Sequence, residues 1–248
     1  MQKLYGLIGY PLSHSFSKRY FTEKFEREGL SAQFRYELFP LPAIEALPDL
    51  LAAQPGLAGF NVTIPYKQTV MAYLHQTSDA AAQMGAVNTV KIENGRLYGH
   101  NTDVVGFEES LRETLVRAAQ MPDRALVLGA GGSSRAVRWV LARMGIEALC
   151  VSREPQPGQL AYQTLTAEWL ARYPLIINTT PLGMSPKVDE CPPLPYETLT
   201  SANILFDLVY NPEETLFLRH GKKQGATVQN GLPMLYGQAE AAWRIWQS

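Results

Sequence analysis

Apolar and polar positions along the first hundred residues alternate between two rhythms. Residues 3–8, KLYGLI, form an apolar run of strand length, and Phe21 and Phe25 share one face of a helix predicted from Lys18 to Glu28. Gly29 stands where a C-terminal helix cap belongs. Residues 34–39, FRYELF, predict a second strand, and residues 43–53 a helix interrupted by Pro48. In GFNVTIPYK, residues 59–67, Phe60, Val62 and Ile64 alternate with Asn61 and Thr63 until Pro65 stops the ladder. A helix carrying Val70, Tyr73 and Leu74 is expected next. VNTVKI and RLYGH then flank Glu93-Asn94-Gly95, whose Asn-Gly pair marks a hairpin.

Beyond Asp103 the rhythm changes. A helix is expected from Val105 to Ala119, and residues 124–145 read as a short strand, a glycine-rich turn and a helix. Strands follow at ALCVSR (148–153), PLIINTT (174–180), ILFDLVY (204–210) and ATVQN (226–230). Such βα units, joined by right-handed crossovers, build a doubly wound parallel sheet. Leu232, Leu235, Tyr236, Ala239, Trp243 and Trp246 make an apolar stripe on a closing helix. The fold class is α/β with two domains. The first spans residues 1–103 and is joined by the closing helix, 232–248; a Rossmann-like domain covers 104–231.

Composition narrows the function classes. With 46% apolar and 18% charged residues in 248, the chain has the balance of a globular protein. A net charge of −1 offers no basic surface to a nucleic acid. Cys150 and Cys191 have no metal-type spacing, and four scattered histidines add no ligand cluster, so no metal is expected. The N-terminal apolar run is broken by Gly6, Gly9 and Pro11, which fits neither a signal peptide nor a membrane span. A soluble, cytoplasmic protein is the expectation.

The candidate chemistry lies in two places. LGAGGSSRA sets Gly129, Gly131 and Gly132 between a strand and a helix. Glycine lets the backbone approach a pyrophosphate, whose charge meets the free N–H groups of the helix start. A dinucleotide fingerprint usually has a third glycine where this chain has Ser134, and Ala136 supplies a small residue for helix–strand packing. At the tip of the next strand, an acidic residue selects a ribose 2′-hydroxyl and an arginine a 2′-phosphate. Ser152 and Arg153 come first there and Glu154 next, which places NADP ahead of NAD. In the first half, Ser15 and Ser17 directly precede the helix and suit a carboxylate, although Ser17 alone also reads as an N-cap. Lys67, freed from the sheet by Pro65, projects from a strand's carboxyl end. Asp103, at the junction of the halves, and Asn88, at a strand start, suggest convergence with it on one site.

The ordered set HSFS, GFNVTIPYK, GAVNT, NTD, GAGGSSRA, NTTPLGM, DLVYNP and NGLPMLYGQA, running from residue 14 to residue 239, resembles the shikimate dehydrogenase family. The resemblance implies an N-terminal substrate domain, a Rossmann-like NADP domain and reversible reduction of 3-dehydroshikimate to shikimate. It assigns Lys67 and Asp103 as the catalytic pair, and Ser15 and Ser17 to the substrate carboxylate. Thr63, Asn88, Tyr210 and Gln238 become further substrate contacts. Gly129, Ala130, Gly131, Gly132, Ser133, Ser152, Arg153, Leu208, Gly231 and Met234 fall to the cofactor. The implied partner is a small molecule, with no nucleic acid or membrane, and the chain acts as a monomer or homodimer. The chain departs from the family at Ser17-Lys18, where Ser-Pro is usual, and at Ser152-Arg153-Glu154, where Asn-Arg-Thr is frequent. Two rivals stand beside this reading: a quinate/shikimate dehydrogenase using NAD, and a non-catalytic ligand sensor, which should have lost the Lys67 and Asp103 pair.

Overall fold

The computed structural model describes residues 2–12 and 15–248, so His14 of the HSFS motif lies outside the described residues. The chain divides into two compact units, one running to Asp103 and including Gln238–Ser248, the other Val104–Gly237.

The first unit contains β1 (Lys3–Gly9), α1 (Phe16–Arg27), β2 (Phe34–Pro40), α2 (Leu47–Ala53) and β3 (Leu57–Val62). It continues with β4 (Gln76–Thr77), α3 (Asp79–Met84), β5 (Thr89–Glu93) and β6 (Arg96–His100). The sheet order is β2-β1-β3-β5-β6-β4. β1 runs parallel to β2 and β3, whereas β5 is antiparallel to both β3 and β6. Alternation along β1 fills two cores. Leu4 and Ile8 join Phe60 and Val62 on one face. Tyr5 and Leu7 join Phe21, Phe25, Tyr36 and Trp246 on the other, where Tyr5 stacks on Trp246 with ring centroids 4.6 Å apart. The Asn94-Gly95 turn has φ of 50° and 74°, the two positive values a type I′ hairpin requires.

Two local expectations are corrected, and one stretch without an expectation acquires structure. Pro48 occupies the first turn of α2, where its missing N–H costs nothing, so it starts the helix instead of interrupting it. The segment after Pro65 makes only a 3₁₀ turn, Thr69–Tyr73. β4 and α3 then fill a stretch with no marked periodicity; Ser78 caps α3 by accepting from the Ala81 N–H.

The second unit begins with α4 (Asp103–Ala118), whose first residue still belongs to the first unit. It continues with β7 (Arg124–Leu128), α5 (Gly132–Arg143), β8 (Glu147–Ser152), β9 (Leu160–Ala161), α6 (Ala167–Arg172), β10 (Leu175–Asn178), β11 (Ile204–Asp207), α7 (Leu216–Lys223) and β12 (Thr227–Gln229). All its strands are parallel, in the order β12-β11-β10-β7-β8-β9. Counted from β7, that is the doubly wound 3-2-1-4-5-6 arrangement, with its switch point between β7 and β10. Every residue of β10 and β11 is buried, which is why these strands read as unbroken apolar runs. The last helix, α8 (Leu232–Gln247), crosses the division between the units. The sequence reading places it wholly with the first domain. Its first turns instead lie against α4: a Cβ on Gly237 would stand 3.0 Å from the Gly106 Cα.

Candidate active site

Strand directions bring four segments of the first unit to one end of its sheet. Ser15 and Ser17 follow β1, Thr63 and Lys67 follow β3, and Asp103 follows β6. Asn88 precedes β5, which runs the other way and therefore starts at the same end. Buried Tyr66 anchors the turn through its hydroxyl to the Leu41 carbonyl at 2.5 Å, and the Lys67 carbonyl accepts from the Val87 N–H at 2.7 Å. The lysine is thereby fixed at its backbone. Its Nζ donates to Asp103 Oδ2 at 2.8 Å.

Asn88 sets the geometry of that pair. Its Oδ1 accepts from the Thr102 N–H at 2.7 Å, and a backbone amide can only donate. The side-chain orientation is thus forced, and Nδ2 donates to Asp103 Oδ1 at 3.0 Å and to Gln238 Oε1 at 3.2 Å. Both carboxylate oxygens of Asp103 are engaged. The side chains of Lys67 and Asp103 keep 34% and 22% of their surface open, so the pair is reachable.

The serines play parts the sequence reading did not separate. Ser15, not Ser17, is the N-cap of α1, its Oγ accepting from the Lys18 N–H at 3.2 Å. Ser17 sits inside the helix, on the side of the Tyr36 phenol, whose pKa burial pushes up. Tyr36 donates to Asn61 Oδ1 at 2.8 Å, and Asn61 Nδ2 donates to Thr89 Oγ1 at 3.0 Å and the Asn88 carbonyl at 3.2 Å. A continuous hydrogen-bond chain therefore links Tyr36 to Asn88 and, through Asp103, to Lys67. Tyr36, Asn61, Thr89 and Thr102 were missed from sequence, although three of them lie within the quoted motifs. For Tyr36, Asn61 and Thr89 the signal was a polar group on a strand with buried neighbours.

The second unit presents backbone where the first presents side chains. Gly129 has φ +105°, and a Cβ there would lie 2.9 Å from Thr179 Oγ1. At Gly131 and Gly132 a Cβ would meet nothing within 4 Å, and α5 starts without a side-chain cap. Its first N–H groups and the open space before them fit a pyrophosphate, with Ala130 and Ser133 exposed alongside. Ser134, 1% exposed, is the residue this first turn buries; Ala136 is only half-buried. Ser152 ends β8 and accepts from the Glu154 N–H at 3.2 Å, leaving Arg153 exposed, with no ion pair among the described residues. A cavity of about 400 Å³ opens at the carboxyl ends of β10 and β11, walled by Ser133, Thr180, Met184, Leu208 and Tyr210 among others. Tyr210 thus belongs to the second unit, whereas the other substrate candidates belong to the first. Gly231 touches Leu208 so closely that a Cβ would sit 2.1 Å from its carbonyl oxygen, while Met234 lies on the first turn of α8. Burial pushes the pKa of Asp207 up to about 6, against hydrogen bonds from Thr215, Val209 and Asn178 that lower it.

Among the described residues no His, Cys, Asp or Glu cluster could hold a metal, and no helix is long and apolar enough to cross a membrane. Residues 7–90 match the shikimate dehydrogenase substrate binding domain. The NADP(+) shikimate dehydrogenase of Caldanaerobacter subterraneus is 38% identical over 98% of this chain and 91% of its own. A crystal structure of the Thermus thermophilus shikimate 5-dehydrogenase in complex with NADP(H) and shikimate superposes with a TM-score of 0.81 at 36% identity, covering 99% of this chain and 93% of that one. The ligand-free 5-ketofructose reductase of a Gluconobacter strain gives 0.86 at 28% identity, with 99% and 93% covered. With identity of this degree spanning both units, the chain belongs to the shikimate dehydrogenase family.

Proposed function

We propose that the chain catalyses the reversible, NADP-dependent reduction of 3-dehydroshikimate to shikimate, in the cytoplasm and as a monomer or homodimer. The observation that carries this reading is the Lys67–Asp103 pair at 2.8 Å, with Asp103 held at its other oxygen by Asn88. When bound, the nicotinamide supplies or accepts the hydride. Reduction leaves negative charge on the carbonyl oxygen, and Lys67 stabilises it and delivers a proton from Nζ. Asp103 holds that ammonium group and bonds the neighbouring substrate hydroxyl. Ser15 and Ser17 take the carboxylate, and Thr63, Asn88, Gln238 and Tyr210 the remaining polar groups. The glycine turn from Gly129 to Ser133 takes the pyrophosphate, Ser152 and Arg153 the 2′-phosphate, and Leu208, Gly231 and Met234 the nicotinamide side.

The test follows reduced nicotinamide with shikimate or quinate against NADP or NAD. The highest kcat/KM is expected for shikimate with NADP, and turnover of quinate with NAD alone would overturn it. A second reading, favoured by the TM-score of 0.86 to a 5-ketofructose reductase, is reduction of a different polyhydroxy ketone. 5-Ketofructose with NADPH is therefore a third arm. A ligand sensor is disfavoured because Lys67 and Asp103 are both present and paired.

A further inference from the structure

At the carboxyl end of the parallel sheet, a buried acidic residue joins two loops. Asp207 closes β11 and is 0% exposed, as is Asn178 at the end of the neighbouring β10. Asp207 Oδ1 accepts from Asn178 Nδ2 at 2.9 Å and from the Val209 N–H at 3.0 Å. Its Oδ2 accepts from Thr215 Oγ1 at 2.6 Å, at the N-cap of α7. Asn178 passes the constraint on. Its Oδ1 accepts from the Thr180 N–H at 3.0 Å and the Thr180 hydroxyl at 2.6 Å. Thr180 Oγ1 in turn accepts from the Leu182 N–H at 3.3 Å. One carboxylate therefore sets the course of residues 179–182 after β10 and of residues 208–210 after β11. Those two loops wall the cavity of about 400 Å³ described above.

In a doubly wound sheet the two mononucleotide halves of a dinucleotide lie on either side of the switch point. The adenosine half belongs over β7 and β8, so the cavity on β10 and β11 faces the nicotinamide half. We infer that Asp207 is a positioning residue for the nicotinamide half of the cofactor, acting through Asn178 and the Val209 amide on the loops that carry Thr180, Leu208 and Tyr210. This rests on the proposed NADP chemistry and adds a residue that touches neither substrate nor cofactor. A buried carboxylate that accepts three hydrogen bonds is costly to remove, because each donor it served is left unpaired. Small displacements of positioning loops are correspondingly expensive in rate.

The test is calorimetric binding of two probes to the whole chain. NADP carries both halves; adenosine 2′,5′-bisphosphate carries only the adenosine half. Asp207→Ala removes the oxygen that accepts from Asn178 Nδ2 and the Val209 N–H. It should weaken NADP roughly tenfold or more and leave the bisphosphate within about twofold. Asn178→Ala breaks the strut from its other end and should give the same selective loss. The double variant should lose no more than either single, since both break one connection. Should Asp207→Ala fail to fold, Asn178→Ala carries the comparison alone. Equal weakening of both probes, or a lowered Tm with both affinities intact, overturns the positioning role and leaves Asp207 a fold-stabilising residue. These readouts do not depend on turnover. A wild-type chain inactive on shikimate would sink the proposed function and still leave this one testable.

Discussion

The two units present polar chemistry at the carboxyl ends of their sheets by opposite means. In the first, side chains from distant segments meet: Lys67, Asn88 and Asp103 are joined by hydrogen bonds of 2.8 and 3.0 Å, and Lys67 and Asp103 remain partly open to solvent. In the second, the ligand-facing surface is backbone at Gly129, Gly131 and Gly132, and the acidic group nearby, Asp207, is sealed inside. The difference separates chemistry from stability. A half-open ion pair contributes only ~0–1 kcal/mol to folding, so Lys67 is free to serve the reaction. A sealed carboxylate is dominated by desolvation, so Asp207 acts through shape and through the fold's response to pH.

Replacing Lys67 is the sharpest break of that contrast. Lys67→Ala should lower kcat by roughly a hundredfold or more with a smaller change in shikimate KM, and leave Tm nearly unchanged. Near-normal kcat with weakened substrate binding would remove Lys67 from the chemistry. Asp207 should behave in the reverse manner. Its folded pKa of about 6 lies above the ~3.9 of an unfolded aspartate, so between these values the folded chain holds a proton the unfolded chain has released. The linked stability is fully present below pH ~3.9 and is lost as pH rises through about 6. Between pH 4.5 and 7.5, urea unfolding should show the parent losing on the order of 2 kcal/mol relative to Asp207→Asn. A difference that stays flat with pH would mean that Asp207 is ionised throughout.

Much of this architecture was legible because burial follows period. Leu4 and Ile8 against Tyr5 and Leu7 on β1, and the unbroken apolar runs of β10 and β11, announce one mixed and one fully covered sheet. The Asn94-Gly95 turn was readable because its two positive φ values leave few residue choices. What failed was short. β4 has two residues and β9 two, too few for any period to register. The site divided the same way. Lys67 and Asp103 stood out as charges near strand ends, whereas Asn61, Thr89 and Thr102 act through partners that strand pairing alone brings together. Asp207 was hidden for the same reason: its partners lie 29 and 8 residues away.

The nucleotide tip is the next test, because it sets a charged side chain beside a proposed cofactor surface made mostly of backbone. Arg153 is exposed, and the Glu154 N–H is tied back to Ser152 Oγ at 3.2 Å. A guanidinium can form two charge-assisted hydrogen bonds with a 2′-phosphate that a hydroxyl does not reciprocate. Arg153→Ala should therefore raise KM for NADP about tenfold and barely alter KM for NAD. A parent chain with higher kcat/KM for NAD would assign that pocket to Glu154.

The smallest expected effect separates two serines that look alike in sequence. Ser15 caps α1 through the Lys18 N–H, whereas Ser17 lies within the helix. If both hold the substrate carboxylate, each alanine variant should raise shikimate KM several-fold while leaving cofactor KM alone, since this binding energy is remote from the reacting carbon. Stability should tell them apart. Ser15→Ala removes a cap worth ~1 kcal/mol, about 2–4 °C of Tm in a chain of this size. Ser17→Ala removes no cap, and the Tyr36 phenol keeps its bond to Asn61 Oδ1 at 2.8 Å, so its Tm should move less. The first unit would then show side chains shared between fold and ligand at one serine and left to the ligand at the other. Equal losses of Tm with unchanged shikimate KM would instead make both serines structural, and the carboxylate anchor would have to be sought elsewhere.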